Sequence, residues 1–219
     1  MARSELTYLT PERALIFRVT HVANLPWILE NGLVCQSSPV KNPNFRSIGN
    51  NDVISKRQNC VVPIPPGGRL ADYVPFYFTP LSVMMLNIVT GYRGIEKLSA
   101  GELIILATSL QAVEGAGRRF VFTDSHALLG TARFSSALAD LPAMIDWKSL
   151  RMRDFSHDPE DPGKKERYQA EALVHGSLPA NALTGLACSS ASRLEQIEAQ
   201  TRSAGLELKL IARPEWFFV

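Results

Sequence analysis

The apolar residues of this chain gather into short runs, and most of these runs are typical of β-strands rather than helices. We predict strands at 15–20, 73–79, 103–108, 119–123, 168–175, 185–189 and 206–212. Apolar residues at helical spacing predict helices over 24–31, 80–89 and 192–203, and the stretch 127–150 is partly helical. Strands outnumber helices and do not alternate regularly with them, so we predict an α+β fold with a largely antiparallel or mixed sheet.

Two polar segments show neither the apolar runs typical of strands nor the apolar spacing typical of helices. Residues 36–71 are rich in Pro, Asn, Ser and Gly, and we interpret them as a long ordered loop. Residues 151–165 are polar and include the turn-forming stretch 158–163, which predicts an exposed loop. Long loops of this kind are usually functional or disordered. Because no repeat, low-complexity tract or linker divides the chain, we predict one domain over 1–219.

Composition narrows the class of protein. The chain has 219 residues, 46% of them hydrophobic, and 23 basic against 21 acidic residues. This length is enough to bury a substantial core, so disordered, collagen-like and disulfide-scaffold proteins are excluded. The cysteines are three in number and form no C-x-x-C pair, which favours a reducing compartment and no structural metal site. The sequence shows no apolar leader and no membrane-spanning run, and we expect a soluble cytoplasmic protein that does not engage membranes.

Common catalytic motifs are absent from the sequence. It contains no phosphate-binding loop, dinucleotide fingerprint, zinc-protease helix or nucleophile elbow. Asp124, Ser125 and His126 are the residue types of a hydrolase triad, but adjacent residues point apart and cannot form a relay. The net charge of +2 is too weak to indicate nucleic acid by itself, and basic clusters such as 118–119 and 164–167 are more often solvated surface.

Three polar positions fall in or near strands and the long loop, where clefts are usually lined. His21 follows the first strand, Arg57 lies in the long loop, and Glu171 begins an apolar strand. Each has an ordinary structural alternative. His21 suits a backbone hydrogen bond at a strand–helix junction, Arg57 suits the surface, and Glu171 suits solvent or a pairing with Arg167.

These positions lie within motifs that span nearly the whole chain. The motifs are Thr-His at 20–21, Ile-Leu-Glu-Asn-Gly-Leu at 28–33, Ile-Gly-Asn at 48–50, Ile-Ser-Lys-Arg at 54–57, Gly-Gly-Arg-Leu-Ala-Asp-Tyr-Val-Pro-Phe-Tyr-Phe-Thr-Pro at 67–80 with Met84, Phe-Thr-Asp-Ser-His-Ala at 122–127, Asp-Trp at 146–147 and Arg-Tyr-Gln-Ala-Glu-Ala-Leu-Val at 167–174. In this combination the chain resembles the DarT family, the DNA ADP-ribosyltransferase toxins of bacterial DarT/DarG toxin–antitoxin systems.

The resemblance implies an ADP-ribosyltransferase fold, with two packed mixed or antiparallel β-sheets around an NAD cleft and peripheral helices. It implies a glycosyl transfer in which ADP-ribose moves from NAD to a thymidine or guanosine base of single-stranded DNA and nicotinamide leaves. NAD is then a substrate, no metal is expected, and the partners are single-stranded DNA and a DarG-like macrodomain antitoxin. The choice between the two bases stays open.

The resemblance also assigns roles to individual residues. The expected catalytic residues are Glu171 and Arg57, and the expected NAD contacts are Thr20, His21, Asn31, Arg57, Tyr77 and Met84. The expected DNA contacts are His126, Arg119, Lys165, Arg167 and Trp147, although Trp147 fits the core equally well. A carboxylate suits the reaction because cleavage of the nicotinamide–ribose bond develops positive charge on the sugar.

Two other functions remain open. The first is an NAD-dependent ADP-ribosyltransferase that acts on RNA or protein. The second is an inert nucleic-acid-binding module of the same fold, which the presence of both Glu171 and Arg57 disfavours.

Overall fold

A computed structural model describes residues 5–219, which form ten strands and eight helices besides short 3-10 turns. The strands are β1 Leu15–His21, β2 Leu33–Val34, β3 Tyr73–Tyr77, β4 Leu103–Ser109, β5 Phe120–Thr123, β6 Phe134–Ser135, β7 Glu171–His175, β8 Ser177–Leu178, β9 Gly185–Cys188 and β10 Lys209–Ala212. The helices are α1 Leu25–Asn31, α2 Asn51–Arg57, α3 Val83–Thr90, α4 Leu110–Gly115, α5 Leu141–Met144, α6 Trp147–Met152, α7 Lys164–Arg167 and α8 Ala191–Ser203.

Eight strands form one mixed sheet in the order β10-β9-β4-β1-β3-β7-β5-β6, and β2 pairs with β8 in a second, small sheet. β10 and β9 run parallel, and the other neighbours of the large sheet are antiparallel. The predicted α+β class with a mixed sheet is confirmed.

The large sheet is nearly divided at its centre. β1 and β4 share seven residue pairs and β3 and β7 share five, whereas β1 and β3 meet only at Phe17 and Tyr77. The halves β10-β9-β4-β1 and β3-β7-β5-β6 therefore separate on either side of that pair. We call this junction the seam. The resemblance implies two packed sheets, and in this structure the strands of the two halves are joined at the seam into one eight-stranded sheet.

Apolar runs form the central strands because both of their faces are covered. All four residues of Leu103–Leu106 in β4 are buried, and so are Val74 and Phe76 of β3. Near-continuous apolar runs of this length are typical of strands buried on both faces. The main core contains buried residues of β1 and β4 in one half of the sheet and of β3 and β7 in the other half.

The largest difference from the sequence prediction lies in segment 36–71, where α2 replaces part of the expected loop. The Asn50 side chain accepts hydrogen bonds from the N–H groups of Asp52 and Val53 and so begins the helix. The only apolar residues of α2, Val53 and Ile54, are adjacent, so this helix shows no helical spacing of apolar residues. Elsewhere, the helix expected from Pro80 begins at Val83, after the Ser82 N-cap, and the strand expected from 168 begins at Glu171.

Across residues 5–219, no helix combines the length and the apolar character that crossing a membrane requires.

Candidate active site

A buried ion pair between Glu171 and Arg57 forms the centre of the site. Glu171 is the first residue of β7 and lies opposite Tyr77 of β3, whereas Arg57 is the last residue of α2. Arg57 Nη1 donates a hydrogen bond to Glu171 Oε2 at 2.8 Å, and the two residues are 8% and 1% exposed. The fold therefore brings together the two expected catalytic residues, although 114 positions separate them in the chain.

The other oxygen of the Glu171 carboxylate faces the turn between β5 and β6. The Ala127 N–H donates to Glu171 Oε1 at 3.0 Å, and His126 Nδ1 lies 3.7 Å from the same oxygen. Burial by itself would raise the pKa of Glu171, but the charges of Arg57 and His126 and the two hydrogen bonds hold this pKa below its usual value. Glu171 is therefore ionised at neutral pH, and each of its oxygens keeps a lone pair for a further donor.

Tyr77 and Met84, two of the expected NAD contacts, stand beside this ion pair. Tyr77 lies at the seam, and its hydroxyl is 3.9 Å from Met84 Sδ. Burial and the Glu171 charge raise the pKa of Tyr77 above its usual value, so its hydroxyl stays neutral. Gly49 has a left-handed φ of 91°, and a Cβ there would lie 3.2 Å from Met84 Cε. The motif glycine therefore leaves room for Met84 at the site.

Arg18 of β1 adds a second guanidinium group at the seam. Its Nη1 donates to the Pro75 carbonyl oxygen of β3 at 2.8 Å, so the side chain bridges the two halves of the sheet. Burial and the nearby Arg57 charge lower the pKa of Arg18 to about 10, which leaves it protonated at neutral pH. Within residues 5–219 no carboxylate forms an ion pair with Arg18, and its buried Nε has no hydrogen-bond partner there. The seam therefore carries an excess of positive charge.

The remaining expected NAD contacts surround the end of β1 and the helix that follows. His21 Nδ1 accepts a hydrogen bond from the Ala23 N–H, and its Nε2 lies 4.0 Å from Glu102 Oε1. Thr20 is buried, and its hydroxyl accepts a hydrogen bond from Asn24 Nδ2. Asn31 is exposed, and its amide bonds the Trp27 carbonyl within α1. These contacts leave the NAD roles of His21, Thr20 and Asn31 as predictions.

The expected DNA contacts are dispersed. His126 lies beside Glu171, and Lys165 is exposed on α7. Arg167 forms ion pairs with Asp146 and Asp161, so much of its charge is already matched. Arg119 is exposed, but its carbonyl pairs with the N–H of His175, at the opposite end of β7 from Glu171 and about 13 Å along the strand.

Trp147 lies in the core rather than on a DNA-facing surface. It is 6% exposed, its indole N–H donates to the Leu141 carbonyl at 3.0 Å, and its ring meets Phe78 edge-on. A ring packed in this way has no free face for a nucleobase. The structure therefore favours the core alternative for Trp147 over the expected base stacking.

Within residues 5–219, no cluster of three or more His, Cys, Asp or Glu side chains is arranged to hold a metal ion.

A comparison with known protein families matches residues 17–218 to the model described as "ssDNA thymidine ADP-ribosyltransferase, DarT". The chain belongs to the DarT family. A curated DNA ADP-ribosyl transferase of Escherichia coli O127:H6 is 43% identical to it over 218 residues, which cover 100% of both chains. The resemblance indicated by the sequence motifs is confirmed.

Solved structures of a DarT from Thermus sp. 2.9 share the fold at 33% sequence identity. One, in complex with ADP-ribosylated single-stranded DNA, superposes with a TM-score of 0.83 and covers 99% of each chain. Another, in complex with NAD+, has a TM-score of 0.78 and covers 94% of this chain and 98% of that one. The prediction of an NAD-dependent DNA ADP-ribosyltransferase is therefore confirmed at the level of the family.

Sequence reasoning missed three groups of this DarT-family site. Arg18 interrupts the apolar run 15–19 of β1, and that interruption is a signal that could have identified it. The Ala127 N–H is a backbone group, so no residue type marks it. Thr123 lies inside a recognised motif, but its hydrogen bonds to Glu171 N and to the Ser125 carbonyl depend on strand register.

Proposed function

We propose that this protein transfers ADP-ribose from NAD to a thymidine base of single-stranded DNA and releases nicotinamide. The observation that carries the proposal is the buried carboxylate of Glu171, which accepts hydrogen bonds from Arg57 and from the Ala127 N–H beside the seam. The description of the matching family supports thymidine over guanosine as the acceptor.

Glu171 supplies the negative charge that the reaction requires. As the bond between nicotinamide and C1′ of the ribose breaks, the bonding electrons leave with nicotinamide and the sugar becomes cationic. A buried carboxylate that accepts hydrogen bonds from the ribose hydroxyls stabilises this cation more than the ground state, because low exposure strengthens the interaction. The free lone pairs of Glu171 provide the required acceptors.

The same carboxylate can accept the proton of the acceptor base. Attack by a base nitrogen on C1′ forms the new N–C bond, and the proton of that nitrogen has to leave. His126 lies 3.7 Å from the Glu171 carboxylate, on the turn next to which this proposal places the DNA base. Single-stranded DNA presents its bases without the cost of unpairing that a duplex imposes.

The positive charge at the seam suits the diphosphate of NAD. Arg57 and Arg18 place two guanidinium groups near a single carboxylate, and Arg57 Nη2 is buried without a hydrogen-bond partner among the described residues. Guanidinium groups bind phosphates with two parallel N–H donors. The ring of Tyr77 would then contact nicotinamide. His21 would form a hydrogen bond through Nε2 with the adenosine ribose or the carboxamide.

The cellular setting belongs to the same proposal. We infer that the protein acts as a toxin in a bacterial cytoplasm, where single-stranded DNA occurs, and that a DarG-like macrodomain antitoxin opposes it. We also infer that 1–219 acts as one domain, because the large sheet takes strands from residue 15 to residue 212.

Nicotinamide release in the presence of different acceptors tests this function. The protein is incubated with NAD and with single-stranded DNA, duplex DNA, RNA of the same sequence, or no acceptor, and Glu171→Gln serves as the control variant. We expect release coupled to DNA modification only with single-stranded DNA and only for the wild type. Coupled release with RNA, or modification of protein, would replace the DNA proposal. No NAD consumption under any condition would favour an inert binding module.

A further inference from the structure

The hydroxyl group of Thr123 connects the backbone of Glu171 to the turn that binds the Glu171 side chain. Thr123 is the last residue of β5 and has 0% exposure. The register pairs Phe122 with Ala172, which brings Thr123 beside Glu171. Thr123 Oγ1 accepts the N–H of Glu171 at 3.2 Å and donates to the Ser125 carbonyl oxygen at 2.6 Å.

The turn beyond Ser125 carries both groups that contact Glu171 Oε1. They are the Ala127 N–H at 3.0 Å and His126 Nδ1 at 3.7 Å. Asp124 closes the same turn, because its carboxylate accepts the backbone N–H of Arg133 at 3.0 Å. One buried hydroxyl is therefore bonded on one side to the residue that holds the carboxylate and on the other to the turn that fixes its orientation.

We propose that Thr123 is a positioning residue that sets the Glu171 carboxylate in its reactive orientation by holding the 124–133 turn against β7. The proposal rests on the function proposed for Glu171. Thr123 itself touches no reacting atom.

Only a hydroxyl side chain can fill this position, since the site needs an acceptor for one N–H and a donor for one carbonyl on the same atom. Valine has nearly the shape of threonine but would leave the Glu171 N–H and the Ser125 carbonyl buried without these partners. Release of the turn would then move Ala127 and His126 away from Glu171. Serine keeps the hydroxyl and loses only a methyl group.

A matched control is available in the same sheet. Thr108 of β4 also has 0% exposure, and its hydroxyl also donates to a backbone carbonyl, that of Ala182, at 2.6 Å. Among residues 5–219, no side-chain hydrogen bond or ion pair joins Thr108 to Glu171, Arg57 or the 124–133 turn. Thr108→Val therefore removes a buried hydroxyl of the same kind without touching the surroundings of Glu171.

The experiment compares the wild type with Thr123→Val, Thr123→Ser and Thr108→Val. It measures kcat, KM for NAD, thermal unfolding and the titration of the Glu171 carboxyl carbon by ¹³C NMR, assigned by its loss in Glu171→Gln. For Thr123→Val we expect kcat to fall about 10- to 100-fold, since a displacement of about 1 Å can cost this much, while KM for NAD changes less than about twofold. The pKa of Glu171 should rise, because two groups that stabilise its ionised form are displaced.

The other variants separate positioning from stability. Thr123→Ser should restore most of kcat and the wild-type titration, and Thr108→Val should lower the melting temperature while leaving both unchanged. Wild-type kcat and titration in Thr123→Val would overturn the proposal, and so would equal impairment of Thr123→Ser and Thr123→Val. If the wild type transfers nothing to DNA, the proposed function fails, while the NMR titration still tests whether Thr123 positions the carboxylate.

Discussion

Separate replacement of Arg57 by Met and of Glu171 by Gln breaks the ion pair between α2 and β7, and we expect each change to destabilise the fold. Met keeps much of the volume of the arginine stem but none of its charge. Gln keeps the shape of glutamate, but its NH2 group then faces a donor, either the Arg57 guanidinium or the Ala127 N–H. Each variant leaves one buried group without its partner.

The magnitude follows from burial and distance. Arg57 Nη1 and Glu171 Oε2 are 2.8 Å apart, Arg57 is 8% exposed and Glu171 is 1% exposed, so water screens the pair only weakly. Removal of one partner of a buried pair typically costs about 3–5 kcal/mol, because the other charge stays buried without compensation. The double variant removes both charges, so it should lose less than the sum of the single losses, by about 1–3 kcal/mol.

Urea unfolding at neutral pH, followed by circular dichroism, measures all four proteins of this double-mutant cycle. We expect both single variants to unfold at clearly lower urea concentration than the wild type, and the double variant to recover part of the loss. Single losses below about 1 kcal/mol would be typical of an exposed pair. That outcome, or strict additivity of the two losses, would refute the buried pair as the centre of the site.

Further expectations concern the carboxylate, the core tryptophan and the DNA surface. Glu171→Ala should abolish transfer while NAD binding, measured by calorimetry, stays largely intact; normal transfer would remove Glu171 from the mechanism. Because the folded-state pKa of Glu171 lies below its usual value, the stability contributed by its ionised form is present above about pH 4.5 and is lost as pH falls through the lower folded value. The difference in unfolding free energy between wild type and Glu171→Gln should therefore shrink in acid, and a constant difference would contradict this assignment. Trp147→Ala should destabilise the fold by about 3–5 kcal/mol without changing single-stranded DNA affinity per folded molecule, and a selective loss of that affinity would restore base stacking. Lys165→Ala should reduce the slope of the logarithm of DNA affinity against the logarithm of salt concentration by about one. An unchanged slope would exclude Lys165 from phosphate contact.

The main strands could be predicted from the sequence because their apolar runs are nearly continuous, as in β4 and β7. The helix α2 could not, because seven residues capped by Asn50 carry no apolar periodicity. Its absence from the prediction matters for the site, since α2 is the element that delivers Arg57 to Glu171. The polar segment 36–71 predicts one long ordered loop, whereas the structure places α2 within it.

Part of the site could be predicted from residue types in the sequence motifs, whereas the rest depends on the register of the paired strands. Glu171, Arg57, Tyr77 and Met84 lie together as the motifs indicate. The Ala127 N–H reaches Glu171 only because β5 ends beside the start of β7, and no sequence pattern marks a backbone donor. Trp147 shows the converse limit, because an aromatic residue next to polar ones suits a stacking surface or a core, and only packing decides between them.

Mass spectrometry of single-stranded oligonucleotides tests the central claim most directly. A mixed-sequence pool and a matched pool without thymidine are incubated with the protein and NAD, and fragmentation locates the modified base. We expect a gain of one ADP-ribose on thymidine in the first pool, none in the second, and none with Glu171→Gln. ADP-ribose on another base would contradict the choice of acceptor, and transfer by Glu171→Gln at the wild-type rate would contradict the role of the buried carboxylate.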